Sequence, residues 1–386
     1  MNNLTQPLTL LTLLLIWGLP ALAQETDTTT ASAFNWVEMP DQNPLPPPTI
    51  TDGFGQYTQL VDIDGDGDLD AFDGHYFFEN SGTINQPVFE KPTEITQKFF
   101  GGEEFGISSF ADMDNDSDLD AFVIQQKAVR YYENIGNTNV PVFEERTGTA
   151  NPLVGAESSR IFNIVDFDND GDLDIFLKGL SQSGNPIQYY ENTGNSGSPV
   201  LEKRTNPLLG VDIYSTSWTG LTFADIDQDK DFDVFVTVFS HVNGLYYYEN
   251  IGSADQPQFE NRTDTATNPL NEITHLRSEV DRGETIDLVD IDNDNDLDVF
   301  RGQQSLPMMY YENTGNIQSP RFVERHIFEE PRTVDAGGFS TPSFVDIDND
   351  GDQDAFIGNL QGSVYYYENL GNARSQIGRA SCRERV

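Results

Sequence analysis

Nine-residue runs that begin and end in aspartate recur six times along this 386-residue chain. In each run the first, third, fifth, seventh and ninth residues are Asp. They are Asp62, Asp64, Asp66, Asp68 and Asp70 in the first run and Asp112, Asp114, Asp116, Asp118 and Asp120 in the second. The third holds Asp166, Asp168, Asp170, Asp172 and Asp174, and the fourth Asp225, Asp227, Asp229, Asp231 and Asp233. The fifth holds Asp290, Asp292, Asp294, Asp296 and Asp298, and the sixth Asp346, Asp348, Asp350, Asp352 and Asp354. These 30 residues are nearly half of the 64 acids in the chain, so the acids are not spread as a solvated face. Carboxylates this close repel one another unless a cation sits between them. Calcium suits the pattern, because it takes six to eight oxygens at flexible angles and alternating aspartates wrap a chain around it. Magnesium prefers fewer protein ligands in strict octahedral order, and zinc and copper favour His or Cys, which the runs lack. All 30 aspartates are therefore candidate metal-site residues for up to six Ca²⁺, one per loop.

Within a loop the positions have different expected roles. The seventh residue is expected to offer its backbone carbonyl with its side chain toward solvent, and the ninth to close the shell. The sixth must turn sharply, which Gly67, Gly171 and Gly351 supply. Ser117 and Asn295 can take that turn, whereas Lys230 adds a β-carbon and a positive charge, so the fourth site is expected to be the weakest. An EF-hand would carry Glu at the twelfth position. Those positions hold Asp73, Val123, Leu177, Val236, Arg301 and Ile357, so the loops are not EF-hands.

The elements around the loops repeat with them. The first aspartates are spaced 50, 54, 59, 65 and 56 residues apart. A hydrophobic pair ending in Phe follows each loop, at Phe72, Phe122, Phe176, Phe235, Phe300 and Phe356. Then comes an aromatic-aromatic-Glu-Asn block ending at Asn80, Asn134, Asn192, Asn250, Asn313 and Asn369. Seven residues further lie Pro87, Pro141, Pro199, Pro257 and Pro320, with Gln376 in the sixth place, and a short apolar run with Glu follows. Each unit reads as four short strands separated by Gly, Asn and Pro turns. Units of this length with four strands predict an all-β fold, a β-propeller of four-stranded blades. One Tyr of each aromatic pair is expected to face the core and the other a neighbouring blade or solvent.

The propeller is expected to span residues 34–376, because Phe34 to Glu38 and Asn43 to Leu45 look like the same elements belonging to the first repeat. Before it, Leu8 to Leu19 and Ala21-Leu22-Ala23 read as a signal peptide over residues 1–23, followed by a Thr-rich spacer at 24–33. The apolar run is too short to span a bilayer, which needs about 20 residues. Secretion to the cell surface or periplasm follows, with no membrane insertion after cleavage. Residues 377–386 are basic, hold the only cysteine, Cys382, and resemble the translation of a sequencing-adapter read-through. They are set apart from the fold, and the natural protein is expected to continue further.

The run Val345-Asp346-Ile347-Asp348-Asn349-Asp350-Gly351-Asp352, with the Tyr-Tyr-Glu-Asn block, resembles the FG-GAP/VCBS repeat family. That family includes the integrin-α-like calcium-binding propeller repeats. The resemblance implies calcium in the hairpin between the first two strands of each blade. It also implies seven blades when complete, and partner binding on the face opposite the calcium loops.

A formal charge of -43 excludes nucleic acid and anionic lipid as direct partners. His75, His241, His275 and His326 occupy no equivalent repeat positions, and no nucleophile elbow, metalloprotease helix or phosphate loop is present, so an enzyme is not the first expectation. The stretch from each Phe to the next aromatic block varies, at 5, 9, 13, 12, 10 and 10 residues, which makes 178–188, 237–245 and 302–309 candidate recognition segments. The leading reading is a secreted calcium-binding propeller that acts as an extracellular binding or adhesion module for protein or glycan. The alternatives are a polysaccharide-active enzyme or lyase using the propeller centre, and a structural spacer of a larger surface protein.

Overall fold

The computed structural model describes residues 36–38, 58–73, 76–90, 93–94, 98–100, 108–158, 160–178, 187–195, 197–208, 211, 219–238, 245–263, 268–270, 273, 285–302, 308–316, 319–325, 340–358 and 364–369. All belong to the compact unit Ser32–Val386. The expected signal peptide, the spacer and the basic terminal segment lie outside the described residues. Among the described residues no helix is long and apolar enough to cross a membrane.

The described residues form six antiparallel sheets of four strands. Blade one holds β2 (Thr58–Val61), β3 (Asp70–Asp73), β4 (Tyr76–Phe78) and β5 (Thr93–Glu94). Blade two holds β6 (Ser108–Ala111), β7 (Asp120–Gln125), β8 (Ala128–Asn134) and β9 (Phe143–Arg146). Blade three holds β10 (Arg160–Val165), β11 (Asp174–Lys178), β12 (Ile187–Asn192) and β13 (Leu201–Arg204). Blade four holds β14 (Thr219–Ala224), β15 (Asp233–Val238), β16 (Leu245–Asn250) and β17 (Phe259–Asn261). Blade five holds β18 (Thr285–Val289), β19 (Asp298–Gly302), β20 (Met309–Asn313) and β21 (Phe322–Arg325). Blade six holds β22 (Thr341–Val345), β23 (Asp354–Gly358), β24 (Val364–Asn369) and, as its fourth strand, β1 (Trp36–Glu38).

The second strand of every blade is buried on both faces, because each sheet is covered on both sides by neighbouring sheets. Alternation then divides its side chains between two interfaces. Phe176 and Tyr189 pack toward blade four with Val234 and Tyr248, while Ile175, Leu177 and Tyr190 pack toward blade two with Phe122 and Tyr131. Six such hydrophobic clusters occur, one at each blade interface. Of the two places expected for the second Tyr of each pair, a neighbouring blade or solvent, the structure has the neighbouring blade. Both rings are buried in every blade, since there is a neighbour on either side. The first ring of each block also lies against the Phe of its own second strand, with centroids 4.8–5.1 Å apart.

Seven blades were expected, and the structure has six. β1 pairs with β24 in the register Trp36↔Asn369, Val37↔Glu368 and Glu38↔Tyr367, filling the outer place of the sixth sheet. The free face of that sheet packs directly on blade one: Ile347, Phe356 and Tyr366 share a cluster with Ala71 and Phe78. The first strands β22 and β2 also touch, as β10 and β14, β14 and β18, and β18 and β22 do. A seventh sheet would have to enter an interface that is already filled.

Phe356 is fully buried at this closing interface. Phe356→Ala is expected to destabilise the ring by about 3–5 kcal/mol, the range for emptying a core aromatic site. Urea unfolding measures it, and a loss below about 1 kcal/mol would contradict closure through this interface.

Candidate metal centre

Each acidic loop joins the first strand of a blade to the second, and two left-handed residues set its course. The fourth residue has φ of 55 to 66° at Gly65, Asn115, Asn169, Gln228, Asn293 and Asn349. The sixth has φ of 74 to 98° at Gly67, Ser117, Gly171, Lys230, Asn295 and Gly351. Glycine takes these angles freely and Asn tolerates them, whereas Ser117, Gln228 and Lys230 are held there at a cost. The first aspartate does much of the holding. In loop four Asp225 Oδ1 accepts the N–H of Asp229 and Oδ2 that of Lys230, both at 3.0 Å. Loops two, three, five and six repeat this pair of bonds at 3.0–3.2 Å. The fifth aspartate accepts the N–H of the seventh residue in all six loops, at 3.0–3.2 Å.

These turns converge the carboxylates. In loops one to five, one oxygen from each of the first, third and fifth aspartates lies within 4.8 Å of the others. The third carboxylate is crowded: burial pushes Asp292 up to about 6, helped by Asp294 and Asp290. Burial and neighbouring acids raise Asp64, Asp114, Asp168, Asp227 and Asp348 in the same direction.

The seventh aspartate does not point to solvent as expected. Asp68, Asp118, Asp231 and Asp296 are only 4–7% exposed. In each of these four the Oδ1 atom is buried without a hydrogen-bond partner. The left-handed turn at the sixth residue brings the seventh back under the loop, beside the other acids. Burial and then the fifth aspartate push Asp68 and Asp118 up to about 6, and Asp231 and Asp296 to about 7. Asp172 of loop three is half-buried instead.

The ninth aspartate begins the second strand and ties the loop to the aromatic block. Its Oδ1 accepts the backbone N–H of Asn80, Asn134, Asn192, Asn250, Asn313 or Asn369 at 2.6–2.8 Å. In blades two to five its Oδ2 accepts the hydroxyl of Tyr131, Tyr189, Tyr247 or Tyr310 at 2.7–3.2 Å. Blade one has Phe77 at that place, and there Asp70 Oδ2 accepts the N–H of Ile63 at 3.4 Å. Burial still dominates these carboxyls, holding Asp70, Asp120 and Asp174 up at about 7 and Asp233, Asp298 and Asp354 at about 8. The block Asn extends the network. Asn134 Oδ1 accepts the N–H of Gly136 at 3.1 Å and of Val142 at 2.8 Å, which fixes the turn into the fourth strand.

Two features escaped a reading centred on acids. The second loop residue (Ile63, Met113, Phe167, Ile226, Ile291, Ile347) is 1–3% exposed and enters an inter-blade cluster. Its signal was an apolar residue between the first two aspartates of all six runs. The left-handed fourth residue was signalled by Gly or Asn in five loops out of six. The four histidines, and the centres of the variable segments 178–188, 237–245 and 302–309, lie outside the described residues.

The family model described as FG-GAP-like repeat matches residues 112–177 and again 166–236. A search of curated proteins finds no match. Among solved structures, the chain is similar to one of a lectin from Agrocybe aegerita, described as recognising non-reducing terminal N-acetylglucosamine. The identity is 16%, with 82% of this chain and 80% of that one covered and a TM-score of 0.49. It is also similar to TcdB2-TccC3, at 15% identity and a TM-score of 0.40 over 89% of this chain. The complex with Cdc42 gives 14% and 0.39 over 89%. The chain spans 16% and 15% of those two longer chains.

The raised carboxyls make the metal-free protein acid-favoured. Acids whose folded pKa stands at about 6 to 8 hold protons that the unfolded chain, titrating near 4, releases. Their contribution is fully present below about pH 4 and is lost as the pH rises through 6 to 8. In chelator, the melting temperature is expected to be higher at pH 5 than at pH 8. A flat or opposite profile would contradict the observed burial of the seventh and ninth aspartates.

Proposed function

Because two adjacent repeats of this chain are FG-GAP-like, we propose that its six loops each bind one Ca²⁺ and that the protein is a secreted, calcium-stapled binding module. The observation that carries the calcium reading is the buried, unpartnered Oδ1 of Asp68, Asp118, Asp231 and Asp296, beside three converging carboxylates. A buried acceptor without a donor is costly, and a cation relieves it. The donor set fits the ion: all oxygen, flexible, and without His or Cys. The first, third, fifth and seventh aspartates would hold the ion, and the ninth would anchor the loop to the blade. Bound calcium supplies charge neutralisation; at two charges each, six ions would bring -43 to -31.

Export rests on the signal-like residues 1–23. Extracellular modules typically bind calcium at about 0.1–1 mM, so ambient calcium would act as a condition of folding rather than a signal. The binding role rests on a rigid framework that carries segments of unequal length between its second and third strands. Protein or glycan ligands suit such a surface, and the acidity argues against nucleic acid.

Thermal unfolding tests the metal reading. Millimolar Ca²⁺ is expected to raise the melting temperature well above that in chelator, and equal Mg²⁺ to do so weakly. A folded chain indifferent to calcium would sink it. Lys230→Gly removes both a positive φ strain and a cation at loop four, and is expected to tighten the weakest site by about 3-fold or more. Calorimetric titration reads that change.

A further inference from the structure

The loops are not independent of one another. Gln228, the fourth residue of loop four, donates from Nε2 to the carbonyl of Asn295, the sixth residue of loop five, at 2.8 Å. Asn293, the fourth residue of loop five, donates from Nδ2 to the carbonyl of Gly351, the sixth residue of loop six, at 3.0 Å. Each accepting peptide group also has an N–H with a partner. The N–H of Asp296 donates to Asp294 at 3.0 Å, and that of Asp352 donates to Asp350 at 3.1 Å. The amide of one loop thus fixes the peptide plane that aims the fifth carboxylate of the next. Bonds that share a peptide in this way polarise and order one another.

The donors are coupled to their own loops as well. Gln228 lies between Asp227 and Asp229, and Asn293 between Asp292 and Asp294, at φ of 56 and 57°. When those flanking carboxylates are drawn around a cation, the residue between them is held, and its amide with it. The relay therefore runs from loop four to loop five to loop six.

Loop three stands outside it. Among the described residues its fourth residue, Asn169, makes no such bond to loop four. A cavity of about 460 Å³ lies there instead, lined by Asp166, Phe167 and Asn169 on one side and by Asp225, Lys230 and Phe232 on the other. On its other flank, the outer turn of blade three has Gly197 where blades one and two have Asn85 and Asn139. Those two amides reach back to the preceding loop, Asn85 to the carbonyl of Asp348 at 2.8 Å and Asn139 to that of Gly65 at 3.0 Å. Gly197 has no side chain with which to do so.

We propose that loops four, five and six take up calcium as one coupled set, with Gln228 and Asn293 as the positioning residues that pass order from loop to loop, while loop three fills independently. This rests on the calcium reading above. Coupling between sites is reciprocal, so an ion in loop six strengthens loops five and four as much as they strengthen it.

Calorimetric titration of the whole chain with Ca²⁺ tests the proposal. The wild type is expected to show a group of sites with a Hill coefficient above 1. In the double variant Gln228→Gly and Asn293→Gly the stoichiometry stays and the coefficient falls to 1, even where relief of the positive φ at residue 228 tightens loop four itself. Loop one itself carries Gly65 at this position with φ of 66°, so the backbone remains accessible. Asn169→Gly makes the same backbone change as Asn293→Gly where no inter-loop bond exists, and is expected to leave the coefficient as it was. Should the double variant fold poorly, Asp346→Asn in loop six reads the same coupling, by weakening calcium at the sites that remain. Independent sites in the wild type, an unchanged isotherm in the double variant, or remaining sites at native affinity after Asp346→Asn would each overturn the coupling and leave the calcium reading intact. A folded wild type that takes up no calcium would overturn both.

Discussion

Several carboxylates held within a few ångströms of one another raise the free energy of any chain that folds them together, unless protons or cations share the space. Every blade is arranged around that constraint. The first and fifth aspartates spend part of their charge on backbone N–H groups, which shapes the loop. The ninth spends its charge on the aromatic block and so fastens the loop to the sheet. The seventh is left with a buried oxygen and no donor in four of the loops. The division of labour among five identical residues comes from the backbone, through the left-handed fourth and sixth positions, and not from residue type.

That is also why sequence carried the fold further than it carried the site. The repeat spacing, the Phe after each loop and the aromatic block are chemical identities, and they sufficed to place four strands per blade. The roles of the seventh and ninth aspartates depend on direction. An Asp after a Gly at Gly67 and an Asp after a Leu at Leu69 look alike in a sequence, yet one is turned into the acidic loop and the other into the sheet. Blade number was illegible for a different reason. Phe34 to Glu38 read as an element of the first repeat, but only the pairing of Trp36–Glu38 with β24 shows that this strand completes the sixth sheet. The burial of both tyrosines follows from the same closure, because a closed ring leaves no blade with a free face.

Packing and charge meet at one residue of each loop. The second loop residue lies between two aspartates of the cluster and ends in the hydrophobic interface with the next blade. A cation that drew the carboxylates together, as proposed, would hold that apolar side chain in place as well. The order of the acidic loops and the packing of the blade interfaces are thus joined at this residue. The inter-loop amides add a second path along the rim of the same blades, so loop order can spread through the rim while packing spreads it through the core.

The chain holds a single cysteine, and export is part of the proposed reading. Small extracellular folds are commonly stapled by disulfides, which act chiefly by restricting the unfolded chain. The proposed calcium sites would act on the folded state instead. A cation that binds only the native loops stabilises by mass action, in proportion to the logarithm of its concentration over the dissociation constant. A disulfide holds whether or not calcium is present, whereas loops of this kind hold only where calcium is plentiful. Under the proposed reading, coupled sites would make that dependence steeper than any single site could, because losing one ion would loosen a loop and its neighbour together.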